Sequence, residues 1–294
     1  MKKVKSFIIA LAAVLGFSAT ANAQILYKVE KKGSDKVSYI LGTHHFAPLA
    51  VVDSISELPS ILSNVDKLYG ELDMAQMSDP QVMSNMQLAL MAPSDSTLDK
   101  VLDEAQLAKL TEAWNNLTGG AAPLEMMYGV KPSVISTQIA AILTQKVFPM
   151  LNPMEGIDMT MQNRAKELGK PVDGLETMDF QINMLYNRPI SEQAEGLMKT
   201  IDDLDNNEKK SIALSQAYIN HDIDSILKMM EEEEENEETM DRMIYSRNAT
   251  WVDRLSKEMP QESILVVVGA AHIPGKKGVA EGLRQAGFKV TPVI

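Results

Sequence analysis

Two rhythms divide the chain: alternation of apolar and polar residues marks short strands, and a 3.6-residue repeat fills most of the space between them. Ile25-Leu26-Tyr27-Lys28-Val29 and Val37-Ser38-Tyr39-Ile40-Leu41 flank the turn-prone Lys32-Gly33-Ser34-Asp35, which predicts a hairpin. A helix that Asp53 or Ser54 could cap carries Ile55, Leu58, Ile61 and Leu62 on one face, and a third strand is expected over Lys67–Leu72. From about Asp79 to Thr144 the pattern is helical: Leu98, Val101, Leu102, Leu107, Leu110 and Trp114 recur at helical spacing until Gly119-Gly120 ends the run. A second apolar helix follows Pro132 and runs to about Phe148. A helix through Arg164 and Leu168 stops at Gly169 before the short strand Pro171–Leu175, and Ser191 to about Lys257 is helical again. The chain closes with the buried-strand run Ser263–Val268, a helix over Val279–Ala286 and a strand over Lys289–Val293. The expectation is an α/β fold: a central mixed β-sheet with flanking helices and a large helical region, about 79–260, between the first and last strand groups.

The first residues stand apart from this pattern. Lys2, Lys3 and Lys5 precede an apolar stretch from Phe7 to Phe17, and Ala21-Asn22-Ala23 fits a small-x-small cleavage site. The stretch is shorter than the ~20 residues that span a bilayer, so residues 1–23 read as a signal peptide and 24–294 as the mature chain, periplasmic or secreted. Removing three lysines and no acid takes the net charge from −12 to −15, a surface that repels nucleic acid and anionic lipid. No Cys is present, so no disulfide staples the fold, which must rest on its own core or on a metal. The twenty Met, several clustered near 74–91, read as core filler, with a soft-metal site or an oxidation sink as the alternative. The run Glu231–Glu235, extended by Glu237 and Glu238, lacks the alternating oxygen ligands and turn Gly of a calcium loop and reads as a solvated face.

Candidate chemistry comes from two matched strand ends. Leu41-Gly42-Thr43-His44-His45 and Val268-Gly269-Ala270-Ala271-His272 share a layout of apolar strand, Gly, two residues and His. Each His then sits past the carboxyl end of a strand, where open α/β sheets place their crevices. Only four His occur in the chain. Two imidazoles with a carboxylate suit a divalent cation, and zinc, manganese, cobalt and iron are alike compatible. Glu71 and Asp73, on one side of the third strand by its period of two, are the acidic pair with a comparable position. His44 is an alternative ligand, and His221, in an acidic helical stretch, reads as surface.

These residues resemble the TraB/PrgY/GumN family, related to the Tiki metalloproteases. The resemblance rests on Tyr39-Ile40-Leu41-Gly42-Thr43-His44-His45, Gly70-Glu71-Leu72-Asp73, Glu155-Gly156-Ile157-Asp158 with Arg164-Ala165, Gly169-Lys170-Pro171-Val172, Gly174-Leu175-Glu176-Thr177, Arg247-Asn248, and Val268–Gly275 with Gly278, in the family's order. It implies a mixed-sheet α/β fold in which His45 and His272 are metal ligands, Glu71 a ligand or general base, and Arg247 an electrostatic partner of the reaction. Asp158 and Glu176 would orient the ligating histidines or serve as helix caps or loop anchors; for Arg247 the plain alternative is a surface salt bridge in the Glu-rich region. His44 departs from the apolar residue usual at its position in the family. Tiki relatives are metal-dependent peptidases, TraB and PrgY members limit peptide-pheromone signalling, and GumN belongs to a polysaccharide locus.

The reading is a metal-dependent hydrolase of peptide or protein amide bonds. Its competitor is a non-catalytic binding protein for a peptide or saccharide, and a metal-site esterase comes third. No Gly-x-Ser-x-Gly elbow and no Cys nucleophile supports a covalent mechanism. Mass spectrometry of the exported protein is expected to find Gln24, free or cyclised, at the amino terminus; an intact Met1 in that fraction contradicts the leader.

Overall fold

The computed structural model describes residues 24–148, 156–232 and 237–293. The expected leader at residues 1–23, Glu155, and Glu233–Glu235 of the acidic run lie outside the described residues. Six strands form one mixed sheet: β1 (Leu26–Lys31), β2 (Val37–Thr43), β3 (Lys67–Gly70), β4 (Val172–Gly174), β5 (Ile264–Gly269) and β6 (Phe288–Pro292), in the order β4-β3-β5-β2-β1-β6. The hairpin expected at the start is present, with Leu26 opposite Leu41 and Glu30 opposite Val37. β5 lies parallel between β3 and β2, and β4 is parallel to β3, so four strands present their carboxyl ends to one rim. From Ile264 to Val268 the β5 side chains are all buried, as an unbroken apolar run covered on both faces must be.

The helices are α1 (Ala50–Asp53), α2 (Leu58–Asn64), α3 (Pro80–Leu90), α4 (Leu98–Val101), α5 (Glu104–Thr118), α6 (Pro132–Val147), α7 (Ile157–Glu167), α8 (Met178–Tyr186), α9 (Ile190–Asp202), α10 (Leu204–Ile219), α11 (Ile223–Glu232), α12 (Glu237–Met240), α13 (Ser246–Glu258) and α14 (Val279–Gln285). Asp103 and Gln106 close a capping box at the start of α5, and Gly119, at φ 63°, ends that helix in the left-handed region where a side chain would be strained. Two apolar cores result. One wraps the sheet; the other joins α4, α5, α6 and α9 through Leu98, Leu110, Trp114, Ile135, Ile139 and Leu197. The helical region is thus a second packed body, interrupted by the return of the chain to the sheet at β4.

Three expectations are corrected. The helix near residue 55 starts later, at Leu58, because Ala50–Asp53 forms a separate turn first. β3 ends at Gly70, so Glu71 and Asp73 leave the strand and its period of two no longer aligns them. The Met cluster at 74–91 is not core: no residue of α3 is buried, and Met83, Leu88 and Met91 are exposed.

Strand ends at the rim are crowded. A Cβ on Gly174 would meet three backbone atoms, Glu176 O at 2.6 Å, Asp73 N at 2.9 Å and Leu72 Cα at 3.1 Å. Gly174→Ala is expected to destabilise the fold by ~1–3 kcal/mol, the scale of overpacking, in a denaturant titration. Gly196→Ala, in α9 with open space where its methyl would go, should instead stabilise by about 0.5–1 kcal/mol.

Candidate functional site

Each polar side chain at the rim is delivered by a strand end or by the helix after it. Glu71 follows β3 directly, its Oε1 accepting the Gly269 N–H at 2.8 Å. His272 ends the 3₁₀ turn Ala270–His272 that follows β5. Asp158 lies in the first turn of α7, behind Gly156 as N-cap, so it is not the cap itself. Arg247 and Asn248 open α13 on its buried face with Trp251 and Leu255, immediately after a π-helical turn at Asp241–Tyr245, the kind of irregularity that recurs at functional sites.

The centre of the site is Arg247, whose side chain is 5% exposed. Its Nη2 donates to Glu71 Oε2 at 2.6 Å and Glu176 Oε2 at 2.9 Å, its Nε to Glu176 Oε1 at 2.8 Å, and its Nη1 to the Met243 carbonyl at 2.8 Å. The surface salt-bridge reading of this residue is therefore wrong: the guanidinium is enclosed between two buried carboxylates. Glu176 touches neither candidate histidine; its other partners are Trp251 Nε1 at 3.0 Å and Gln181 Nε2 at 3.1 Å. Gln181 Nε2 also reaches Glu71 Oε2 at 3.1 Å.

The two histidines are held in the same manner. His45 Nδ1 meets Asp158 Oδ2 at 2.8 Å, and Asp158 Oδ1 accepts from Thr43 Oγ1 at 2.9 Å. His272 Nδ1 meets Asn248 Oδ1 at 2.7 Å, while Asn248 Nδ2 donates to the carbonyls of His272 and Lys277. A carboxylate or amide oxygen on Nδ1 fixes the tautomer with the proton there and leaves Nε2 with a lone pair. The Nε2 of His272 lies 3.8 Å from Glu71 Oε1, and its lone pair accepts an N–H of Arg247 Nη1 at 3.1 Å. Trp251 stacks beside the His272 ring with centroids 4.4 Å apart.

Charge states follow from these contacts. The Asp158 carboxylate beside His45 raises its pKa to about 9, against the desolvation that lowers it. The His45 side chain is 61% open to solvent, and water there screens the pair, so the upward direction is what matters. Burial lowers His272 to about 4, which keeps it neutral at pH 7. For Glu71, burial works upward but is overcome by His272, Arg247, His45 and the Gly269 N–H, and its pKa falls to about 2. Since His272 is uncharged at neutral pH, the nearest standing positive charge on Glu71 is Arg247.

Other candidates are placed elsewhere. The His44 ring packs between Phe148 and Tyr218, at centroid distances of 6.0 and 5.6 Å, and its Nδ1 accepts the Phe46 N–H. Asp73 caps the 3₁₀ turn Met74–Ser78 and pairs with Lys166 at 3.3 Å. His221, at φ 57°, bonds the Val51 carbonyl at 3.3 Å. Gln181 and Trp251 carry no sequence pattern, since a lone amide or indole has none; Asn248 enters the sequence reading only beside Arg247 in the family resemblance, with no role attached. Among the described residues, no group of three or more His, Asp or Glu side chains is gathered closely enough to hold a metal ion.

Uncharacterized protein YbaP of Escherichia coli (strain K12) is 28% identical over 253 residues, covering 83% of this chain and 84% of that protein, and the YbaP of Shigella flexneri matches to the same extent. No solved structure matches the chain. A sequence model of the TraB/PrgY/gumN family matches residues 25–292, so the two Gly-x-x-His strand ends and the buried Arg–Glu pair all fall inside the match, and the chain belongs to the TraB/PrgY/gumN family.

Proposed function

We propose that this is an exported, metal-dependent hydrolase of peptide or protein amide bonds, working at the rim formed by β2, β3 and β5. The observation that carries the reading is the matched anchoring of the two imidazoles. Each is held at Nδ1 by a fixed side-chain oxygen, which orients Nε2 as a donor, and a carboxylate lies 3.8 Å from one of those donors. His45, His272 and Glu71 would hold the cation; once His45 has given up its proton, two imidazoles and an ionised carboxylate are the donor types that zinc, manganese, cobalt or iron accept. The donors are not drawn together around a point, and His45, the most open of the three, is the one with room to move in. A divalent cation supplies carbonyl polarisation and a lowered pKa for water.

The residues of the chain divide the remaining work. Glu71, held ionised by Arg247 and the Gly269 N–H, is assigned here as ligand rather than general base. Arg247 keeps that carboxylate ionised and in place, with its N–H groups spent on Glu71, Glu176, the Met243 carbonyl and His272 Nε2. Asp158 and Asn248 hold the rings.

A second reading is favoured by one contact. A guanidinium 3.1 Å from His272 Nε2 opposes a cation at that atom, which suits the non-catalytic binding protein for a peptide or saccharide. His45→Ala and His272→Ala separate the two: they abolish turnover in a hydrolase and only weaken ligand binding in a binder.

Elemental analysis of the purified mature protein should show stoichiometric divalent metal, strongly reduced in His45→Ala and His272→Ala. Equal trace metal in all three proteins would overturn the metal assignment. Loading should also depend on pH with a definite sign. The proton that Asp158 holds on His45 above the usual imidazole range must leave before Nε2 can donate, so affinity should climb as pH rises through and past neutrality, by up to about tenfold per unit for one proton released. His272, neutral above about pH 4, adds no slope there. In Asp158→Asn the His45 pKa falls, and half-loading at fixed metal should move to lower pH; isothermal titration across pH 6–9 reads both effects.

A further inference from the structure

The rim opens into a cavity of about 290 Å³ whose walls are not explained by the chemistry above. His45, Glu71 and Asp158 form one side. Phe46, Leu72, Met74 and Met159, each half-buried, form the rest with Gly156, and Gln162 and Gln181 lie between them. The polar atoms on these walls are largely committed. Gln162 accepts the Met74 N–H through Oε1 and donates to the Leu72 carbonyl through Nε2, at 2.9 and 2.8 Å, so it braces the wall. Gln181 Nε2 is taken by Glu71 and Glu176. Among the described residues that line the cavity there is no Lys or Arg, and Arg247 behind Glu71 is already clamped by two carboxylates.

We propose that this cavity is a specificity subsite for an uncharged, apolar side chain of a peptide, placed next to the bond presented to His45 and Glu71. The proposal rests on the hydrolase reading for what the bound peptide undergoes, but not for its binding. An acidic side chain would enter against Glu71 and Asp158 with no free cation to receive it. A basic one would find both carboxylates already paired, Glu71 with Arg247 and Asp158 with His45. An aliphatic or aromatic group meets a phenyl ring, an isobutyl group and two thioethers, and unbranched Met side chains adapt to different shapes. The volume stands at the floor of the roughly 300–1,000 Å³ range of small-molecule sites, which suits one side chain rather than a long ligand.

The test is methyl NMR on the mature protein labelled with ¹³C-methyl methionine and treated with chelator so that turnover does not compete. N-acetyl-leucinamide should shift the methyl signals of Met74 and Met159 and bind about tenfold or more tighter than the matching N-acetyl-aspartic acid amide, the discrimination expected of an apolar pocket. Met159→Asp should erase the preference and Met159→Leu retain it; Met74→Asp gives a second route should Met159→Asp fold poorly. Equal binding of the two amides, or shifts that bypass both methionines, overturns the subsite. Turnover of peptides without preference for an apolar neighbour of the cleaved bond also overturns it. Selective leucinamide binding by a protein with no hydrolytic activity supports the subsite and sinks the hydrolase instead.

Discussion

A guanidinium enclosed between two carboxylates organises this molecule. Arg247 joins β3, through Glu71, to the segment after β4, through Glu176, and both to the start of α13. Such a buried array is costly to desolvate and is repaid only when nearly every polar atom finds a partner. Here the partners are present: the Gly269 N–H, the Trp251 indole, the Gln181 amide and the Met243 carbonyl complete the set. The array cannot be trimmed at one member without leaving another charge uncompensated, which is why it constrains everything placed around it. His272 and its lone pair are positioned against this array, and the electrostatic field at the rim is set by it.

The backbone prepares the ground. Four strands end together, and Gly70, Gly174 and Gly269 stand at three of those ends. Their missing side chains let the segments beyond approach closely: a methyl on Gly70 would run into Gln162 and the Leu72 carbonyl, and one on Gly269 would crowd Glu71 Oε1 at 3.2 Å. Close backbone approach thus converts strand ends into hydrogen-bond donors and acceptors for the charged side chains.

Much of this was legible in advance, for physical reasons that differ by element. The apolar run Ile264–Val268 announced a strand buried on both faces, and Gly119 announced the end of a helix, because each depends on local chemistry alone. The pairing of His45 with Asp158 and of His272 with Asn248 crosses 113 and 24 residues, and spacing along a chain does not encode such meetings. Arg247 was picked out, but its burial was not: a charged residue near a Glu-rich stretch looks solvated until the fold turns it inward. His44 and His45 could not be separated by sequence; the strand end turns one ring against Phe148 and Tyr218 and leaves the other at the rim.

The sheet order carries a consequence for how the chain reaches this state. β5 is the neighbour of both β2 and β3, and β6 pairs with the opening strand β1, so one central strand and one edge of the sheet come from the last part of the polypeptide. During synthesis β2 and β3 therefore wait, without the strand that joins them, until some two hundred residues have followed. Pairings of such long sequence separation slow folding and leave strand edges unpaired meanwhile. In a polypeptide built this way the sheet closes only once its last two strands have been made.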